Sequence, residues 1–198
     1  MDVFTIALIL LWAVVIALGI VVIALGRQIG ILFERVAPMG ALITDSGPKI
    51  GEASPKFSLQ ALGSGRSVPV GDATGRSTLI FFLSPTCPVC KKLLPVLKSA
   101  QKAEKGWLDI VLASDGEAPK HQAFITGHKL DGFPYVLSSD LGMAYRVSRL
   151  PYGVMLDGEG TVRAKGLINN REQLESLFNA KEMGVASIQS YLDQVKEA

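Results

Sequence analysis

Apolar side chains run from Val3 to Leu25, 23 residues without a charge, with Thr5 the only clearly polar side chain. As a helix this stretch is about 34 Å long, enough to cross a hydrocarbon core of roughly 30 Å. A cleaved signal peptide would carry a basic start, a core of about 7–15 residues and a small-x-small exit. Here Asp2 is the only charge before the run, and the core is longer than that. The pattern therefore predicts an uncleaved anchor over residues 1–26.

Beyond Gly26 the periodicity fades. Gln28 to Val36 could extend the helix out of the membrane. Pro38, Gly40, Gly47 and Pro48 then punctuate a stretch with no regular spacing, so 27–49 reads as a linker. From Ile50 onward short apolar runs alternate with amphipathic ones, and 50–198 reads as one domain. Ser77–Leu83 is a run of the kind buried inside a sheet. Lys91–Lys105 has helical spacing. Asp109–Ala113 is a second short strand, Pro119–His128 a helix and Leu141–Val147 a shorter one. Gly153–Leu156 and Thr161–Lys165 are strands flanking Asp157-Gly158-Glu159-Gly160, a sequence suited to a hairpin turn. Asn169 or Asn170 can cap a helix over Arg171–Met183, with Gly184 just past its end. Alternating strands and helices closed by a hairpin and a helix predict an α/β domain with a mixed sheet.

Charge adds little. Of 20 basic and 18 acidic residues, Arg27 and Arg35 face Asp2 and Glu34 in the first 35 positions, which leaves 18 basic against 16 acidic. That balance suggests neither nucleic acid nor a strongly acidic partner. The two cysteines, Cys87 and Cys90, exclude a four-cysteine zinc site and any disulfide framework beyond the pair itself. No metal or other cofactor is expected, and the redox group is the Cys87–Cys90 pair.

The pair lies where a buried strand turns into a helix. At such a turn the first cysteine meets unpaired backbone N–H groups and the positive end of the helix dipole. Both stabilise negative charge on the Cys87 sulfur, and Lys91 and Lys92 add positive charge within a turn. A stabilised thiolate is a nucleophile at neutral pH and a good leaving group in exchange. Cys90, one turn further in, should be more buried and positioned to attack a mixed disulfide formed at Cys87. Thr86, Pro88 and Val89 complete the active-site loop.

These features resemble the thioredoxin superfamily. Lys91 directly follows the second cysteine and Pro95 comes five residues after it. Leu150-Pro151-Tyr152-Gly153-Val154-Met155-Leu156-Asp157 looks like the superfamily's cis-proline loop leading into a strand. Gly51–Phe57 resembles the opening segment of the branch that holds membrane-tethered thioredoxins and peroxiredoxins. The resemblance implies a thioredoxin-like fold, a mixed sheet flanked by helices, behind one N-terminal transmembrane helix. It further implies a cis bond between Leu150 and Pro151, with that loop against the cysteines and receiving the partner's chain as an added strand. Two departures argue against a general cytosolic reductase. Phe81 stands six residues before the first cysteine, where thioredoxin has a buried acid, and Thr86 stands in place of its tryptophan.

More specific stretches resemble the MauD family of methylamine utilisation proteins: Arg27–Arg35, Pro85–Pro95, Leu141–Val147 and Lys165–Glu172. That resemblance implies an accessory protein for folding and maturing the disulfide-rich small subunit of methylamine dehydrogenase. The partners it implies are that subunit as client, a membrane redox or assembly partner, and the bilayer through Val3–Leu25. It also implies an inner-membrane, single-pass protein with a periplasmic domain. Arg27 and Arg35 after the helix point the other way by the positive-inside rule, though large domains can translocate regardless of charge. The alternatives are a membrane-tethered thioredoxin-like reductase of cytochrome c maturation type, or a non-catalytic assembly chaperone. A peroxiredoxin is disfavoured because Ser84 occupies the position of its threonine. His121 and His128 could share a helix face in a copper module, but read more simply as solvated helix residues. Phe33, Trp107, Phe124 and Phe178 read as core or membrane-interface residues.

Overall fold

The computed structural model describes residues 2–35 and 47–183. The expected features at 36–46 and beyond 183, including the middle of the linker and the Gly184 cap, lie outside the described residues. The chain divides into two units, Met1–Thr44 and Asp45–Ala198. The first carries a single helix, α1 (Val3–Arg35), so the segment after Gly26 continues as helix through Arg35. Within α1, Phe4–Ile23 has a mean hydropathy of 3.3 and is long and apolar enough to span a membrane.

The second unit is built on a five-stranded mixed sheet. Its strands are β3 (Ser77–Phe82), β4 (Leu108–Ser114), β5 (Tyr135–Leu137), β6 (Tyr152–Leu156) and β7 (Val162–Leu167), in the order β5-β4-β3-β6-β7. β3, β4 and β5 run parallel, while β6 and β7 are antiparallel to β3 and to each other respectively. A separate antiparallel hairpin precedes them, β1 (Phe57–Gln60) and β2 (Ser67–Val70). The helices are α2 (Pro88–Ala103), α3 (Ala118–His128), α4 (Ser139–Ala144) and α5 (Arg171–Met183).

β3 is buried at all six positions. Its side chains alternate between two cores, because successive residues of a strand point to opposite faces. Leu79 and Phe81 join α2, α3 and α5 on one face. Ile80 and Phe82 join Val68 and Val70 from β2, Leu141 from α4 and Tyr145 at its C-cap, on the other. This double burial explains why the strand reads as an unbroken apolar run.

The closing hairpin is held by one carboxylate. Asp157 accepts from the backbone N–H of Glu159 at 3.0 Å, from that of Thr161 at 2.9 Å and from Arg163 Nε at 2.6 Å. Burial pushes this carboxyl up, but the three donors outweigh burial and lower it. Gly160 takes a φ of 81° to complete the turn. In β6, Gly153 leaves room for Ile168 and Leu177; a Cβ there would come within 2.9 Å of the Leu177 side chain. α5 starts as expected. Asn170 accepts from the Gln173 N–H at 2.8 Å, and Gln173 reaches back to the Asn169 N–H at 2.6 Å.

The small elements are where sequence and structure differ. β1, β2 and β5 have four, four and three residues, too few for a periodicity to stand out. α2 begins at Pro88 rather than Lys91, and α4 spans Ser139–Ala144 rather than Leu141–Val147.

Two outcomes follow from this core. Asp157→Ala should destabilise the domain by roughly 0.5–1.5 kcal/mol, the net scale of hydrogen bonds at a partly exposed turn, and urea unfolding measures it. The second concerns alkali. Burial pushes the Tyr135 phenol up to about 12 and raises that of Tyr145. An unfolded phenol ionises near 10, so above about that pH the unfolded chain binds fewer protons than the folded one, and stability falls as pH rises. The urea midpoint should therefore fall more steeply as pH rises past about 9.5, and Tyr135→Phe should soften that fall.

Candidate active site

The last residue of β3 is Phe82, and the chain turns through Ser84–Thr86 into α2. Ser84 Oγ and Thr86 Oγ1 lie 2.9 Å apart, and the Cys87 N–H donates to the Ser84 carbonyl at 3.1 Å. This tight turn delivers Cys87 to the N-cap of α2, with an extended backbone (φ −78°, ψ 114°) and Pro88 in the first turn. Proline suits that place because its missing N–H would have had no partner in the helix.

At the cap, a sulfur does what a serine or aspartate oxygen usually does. The Cys90 N–H donates to Cys87 Sγ at 3.2 Å. An N–H aimed at the sulfur, together with the helix dipole, stabilises negative charge there. Cys87 is half-buried and Cys90 fully buried, and both are free cysteines. Burial, and then the hydrogen bond to Cys87, push the Cys90 thiol up to about 12. The two sulfurs thus occupy different settings, one open to a partner and one neutral and enclosed.

Around them, Thr86 and Pro88 are exposed, and Val89 is half-buried against the core under α2. Lys91 and Lys92 are exposed on the first turns. α2 runs through Pro95 to Ala103 without interruption. The Leu150–Pro151 bond is cis. The register of β3 with β6 pairs Phe82 with Tyr152, which puts Pro151 beside the residues that lead into the cysteine turn. Pro151 is buried and its carbonyl accepts from the Ile168 N–H at 3.1 Å, while Leu150 is 38% exposed. Next to this loop is an open groove of about 870 Å³, bordered by Leu83, Ser114, Met143, Arg146 and Leu150. Met143, which also lines it, is 65% exposed.

Other expectations fare differently. His121 is not a solvated helix residue. It is 3% exposed, packed against the sheet, with both ring nitrogens engaged. Helical spacing alone placed it next to polar neighbours, and no signal in the sequence marked it as inward-facing. His128 is half-buried against Phe124 at 4.6 Å between ring centres. Among the described residues no group of three or more histidine, cysteine, aspartate or glutamate side chains could hold a metal ion. Phe124 is core, and Trp107 meets Phe178 edge-on at 6.0 Å; Phe33 belongs to α1. The groove was not anticipated, because its lining comes from four separate segments.

The Redoxin family model matches residues 49–181. Among solved structures, the chain is similar to a putative thiol:disulfide interchange protein DsbE from Chlorobium tepidum, with a TM-score of 0.62, 18% identity, and coverage of 70% of this chain and 99% of that one. It is also similar to StoA from Bacillus subtilis, with a TM-score of 0.54, 24% identity, and coverage of 63% and 96%. At these identities the likeness shows the thioredoxin-like fold. Sequence relatives are much nearer. A methylamine utilization protein MauD from Paracoccus versutus is 48% identical over 158 residues, 80% of this chain and 79% of that protein. Another from Methylobacillus flagellatus is 46% identical over 186 residues, 93% and 89% respectively. With nearly half of its residues shared across most of both lengths, and with the sheet and helices of the Redoxin fold, this chain belongs to the MauD family of methylamine utilization proteins.

Proposed function

We propose that this protein is a membrane-tethered thiol–disulfide oxidoreductase of isomerase type that helps fold and mature the disulfide-rich small subunit of methylamine dehydrogenase. The observation that carries the reading is the asymmetry of the cysteine pair. Cys87 Sγ caps α2 and receives the Cys90 N–H at 3.2 Å, while Cys90 is enclosed. Membership of a methylamine utilization family supports the client.

In this reading the Cys87 thiolate attacks one sulfur of a client disulfide. A bond forms between Cys87 and that sulfur, and the other client sulfur leaves as a thiolate. Two outcomes are then open to the mixed disulfide. The freed client thiolate, or another one nearby, can attack the client sulfur and release Cys87 reduced, which rearranges the client with no net redox change. Otherwise Cys90 attacks Cys87 Sγ, the client leaves reduced, and the pair is left as a disulfide. A membrane redox partner would then return it to the dithiol.

The groove beside Leu150 gives the client a surface. Met143 and Leu150 are exposed apolar contacts, and Arg146 and Arg149 line the same groove. An extended client segment against the Leu150–Pro151 loop would bring its disulfide over Cys87. The helix Phe4–Ile23 supports tethering to the inner membrane. With the domain on the periplasmic side, the tether concentrates it where a secreted subunit emerges.

Cys90→Ser should accumulate mixed disulfides with the small subunit, seen as adducts lost on reduction, while Cys87→Ser should form none; the reverse pattern would contradict the assignment of the attacking thiol. A strain lacking this protein, grown with methylamine, should retain the large subunit and lose most of the small one on immunoblots. Cys87→Ser should reproduce that loss. Normal small-subunit levels with every disulfide formed would remove the proposed client.

A further inference from the structure

α4 ends in a tight backbone clamp. The Val147 N–H donates to the Gly142 carbonyl and the Arg146 N–H to the Met143 carbonyl, both at 3.0 Å. This pair of bonds closes a helix when the residue after the cap turns left-handed. Here that residue is Arg146, with a φ of 49°. Glycine takes this conformation freely and larger side chains resist it. An arginine at this place is therefore held against the preference of its own backbone. A cation at a helix C-terminus also suits the dipole, as Lys129 does at the end of α3, so the conformation alone names no ligand.

The groove beside the Leu150–Pro151 loop does name one. Arg146 and Arg149 both line it and both are exposed. Arg76, Arg163 and Arg171 are each paired with a carboxylate, at 2.7, 2.6 and 2.6 Å. Among the described residues neither Arg146 nor Arg149 has such a partner. The acidic side chain in the lining, Asp115, is exposed and is paired with neither. The first turns of α2 add Lys91 and Lys92, both exposed, and the first turn holds no acidic residue. Positive charge on this side of the domain is thus left unbalanced.

The same groove is apolar. Outside α1, the exposed large apolar side chains among the described residues are Ile50, Met143 and Leu150, and the last two line the groove. Leu83, also in the lining, is the residue before the Ser84–Thr86 turn. A chain lying in the groove therefore runs up to the approach to Cys87. Exposed apolar side chains beside unpaired cations fit a segment that offers apolar and carboxylate side chains together.

We infer that this groove selects client segments whose cysteine is flanked by acidic and apolar residues, with Arg146 and Arg149 as the specificity-determining side chains. The inference rests on the exchange chemistry proposed above and names the clients which that chemistry reaches fastest. An extended segment adds its backbone along the Leu150–Pro151 loop. Its carboxylates meet the guanidiniums, whose flat fork matches a carboxylate, and its apolar side chains cover Met143 and Leu150. The cations do not touch the reacting sulfurs. They act on capture, by steering and holding the client before Cys87 attacks. At an exposed rim each pair contributes modestly and salt screens it.

The test uses the reduced full-length protein in an uncharged detergent, with synthetic peptides whose single cysteine is joined to thiopyridine. The Cys87 thiolate attacks the peptide sulfur and bonds to it. Thiopyridine leaves and takes a proton from water, and its absorbance reports capture alone. The peptides are identical except that glutamate, glutamine or lysine flanks the cysteine. At low salt the glutamate peptide should be captured about threefold or more faster than the glutamine peptide, the scale of exposed ion pairs, and the lysine peptide slowest. The advantage should fade near about 1 M salt, where the screening length is about 3 Å. Arg146→Gly removes the guanidinium but supplies the residue the backbone prefers. Its urea midpoint should equal or exceed that of the wild type, while the glutamate-to-glutamine ratio falls by about twofold or more. Adding Arg149→Gln should abolish most of what remains.

Equal capture of all the peptides by the wild type would overturn the inference and leave the exchange chemistry standing. A preference that survives both substitutions would overturn it too, and assign the effect to Lys91 and Lys92. A lower urea midpoint for Arg146→Gly with an unchanged ratio would make Arg146 purely structural. If the groove instead holds a second copy of this chain, the substitutions would change the sedimenting mass and leave the ratio untouched, which also overturns the inference. A wild-type protein that releases no thiopyridine from any peptide would overturn the exchange chemistry itself, a separate and distinguishable failure, and the inference with it.

Discussion

Because β3 has no side facing water, it must be covered by α2, α3 and α5 on one face and by the β1–β2 hairpin and α4 on the other. A strand so enclosed cannot slip in register without moving every apolar side chain to the wrong core. Its C-terminal end is therefore a fixed point, and five residues later the chain reaches the N-cap of α2. β6 is locked to the same strand by the pairing of Phe82 with Tyr152. The cysteine turn and the Leu150–Pro151 loop are thus held side by side by one ladder of hydrogen bonds, although more than sixty positions separate them in the chain. The cysteine-bearing end inherits its geometry from the most deeply buried part of the domain.

Much of this was readable in the sequence because it rests on strong local signals. The apolar run of β3 ends at a Cys-Pro-Val-Cys stretch whose first cysteine can act as a helix cap. The Asp-Gly-Glu-Gly turn has the residues its conformation requires. Asn170 and Gln173 stand at capping spacing. In each case a few neighbouring residues settle the local conformation, with little help from tertiary contacts.

What was not readable depends on distant segments meeting. The side of α3 that faces inward is set by the sheet beneath it, and the helix has little amphipathic contrast to announce it. His121 therefore looked like one more polar surface residue, whereas it is tied to Tyr135 from β5 and to the Asp115 carbonyl. β5 itself has three residues, and its place at the sheet edge comes from pairing with β4. The groove beside Leu150 draws on β3, β4, α4 and the loop after it, so no single stretch of sequence could reveal it.

The chain has only two cysteines, and both belong to this one site. In the proposed chemistry that pair would hold a single pair of electrons, with no further cysteine in the sequence from which to replace them. Working as an oxidant or a reductant, it would be spent after each client and would need one encounter with a recharging partner per disulfide changed. Working as an isomerase, it lends the pair and takes it back within the same complex. The cost of a wrong pairing then falls on residence time at the client rather than on the supply of redox equivalents. A domain with so small a reservoir suits a client whose disulfides must be rearranged many times but made only once.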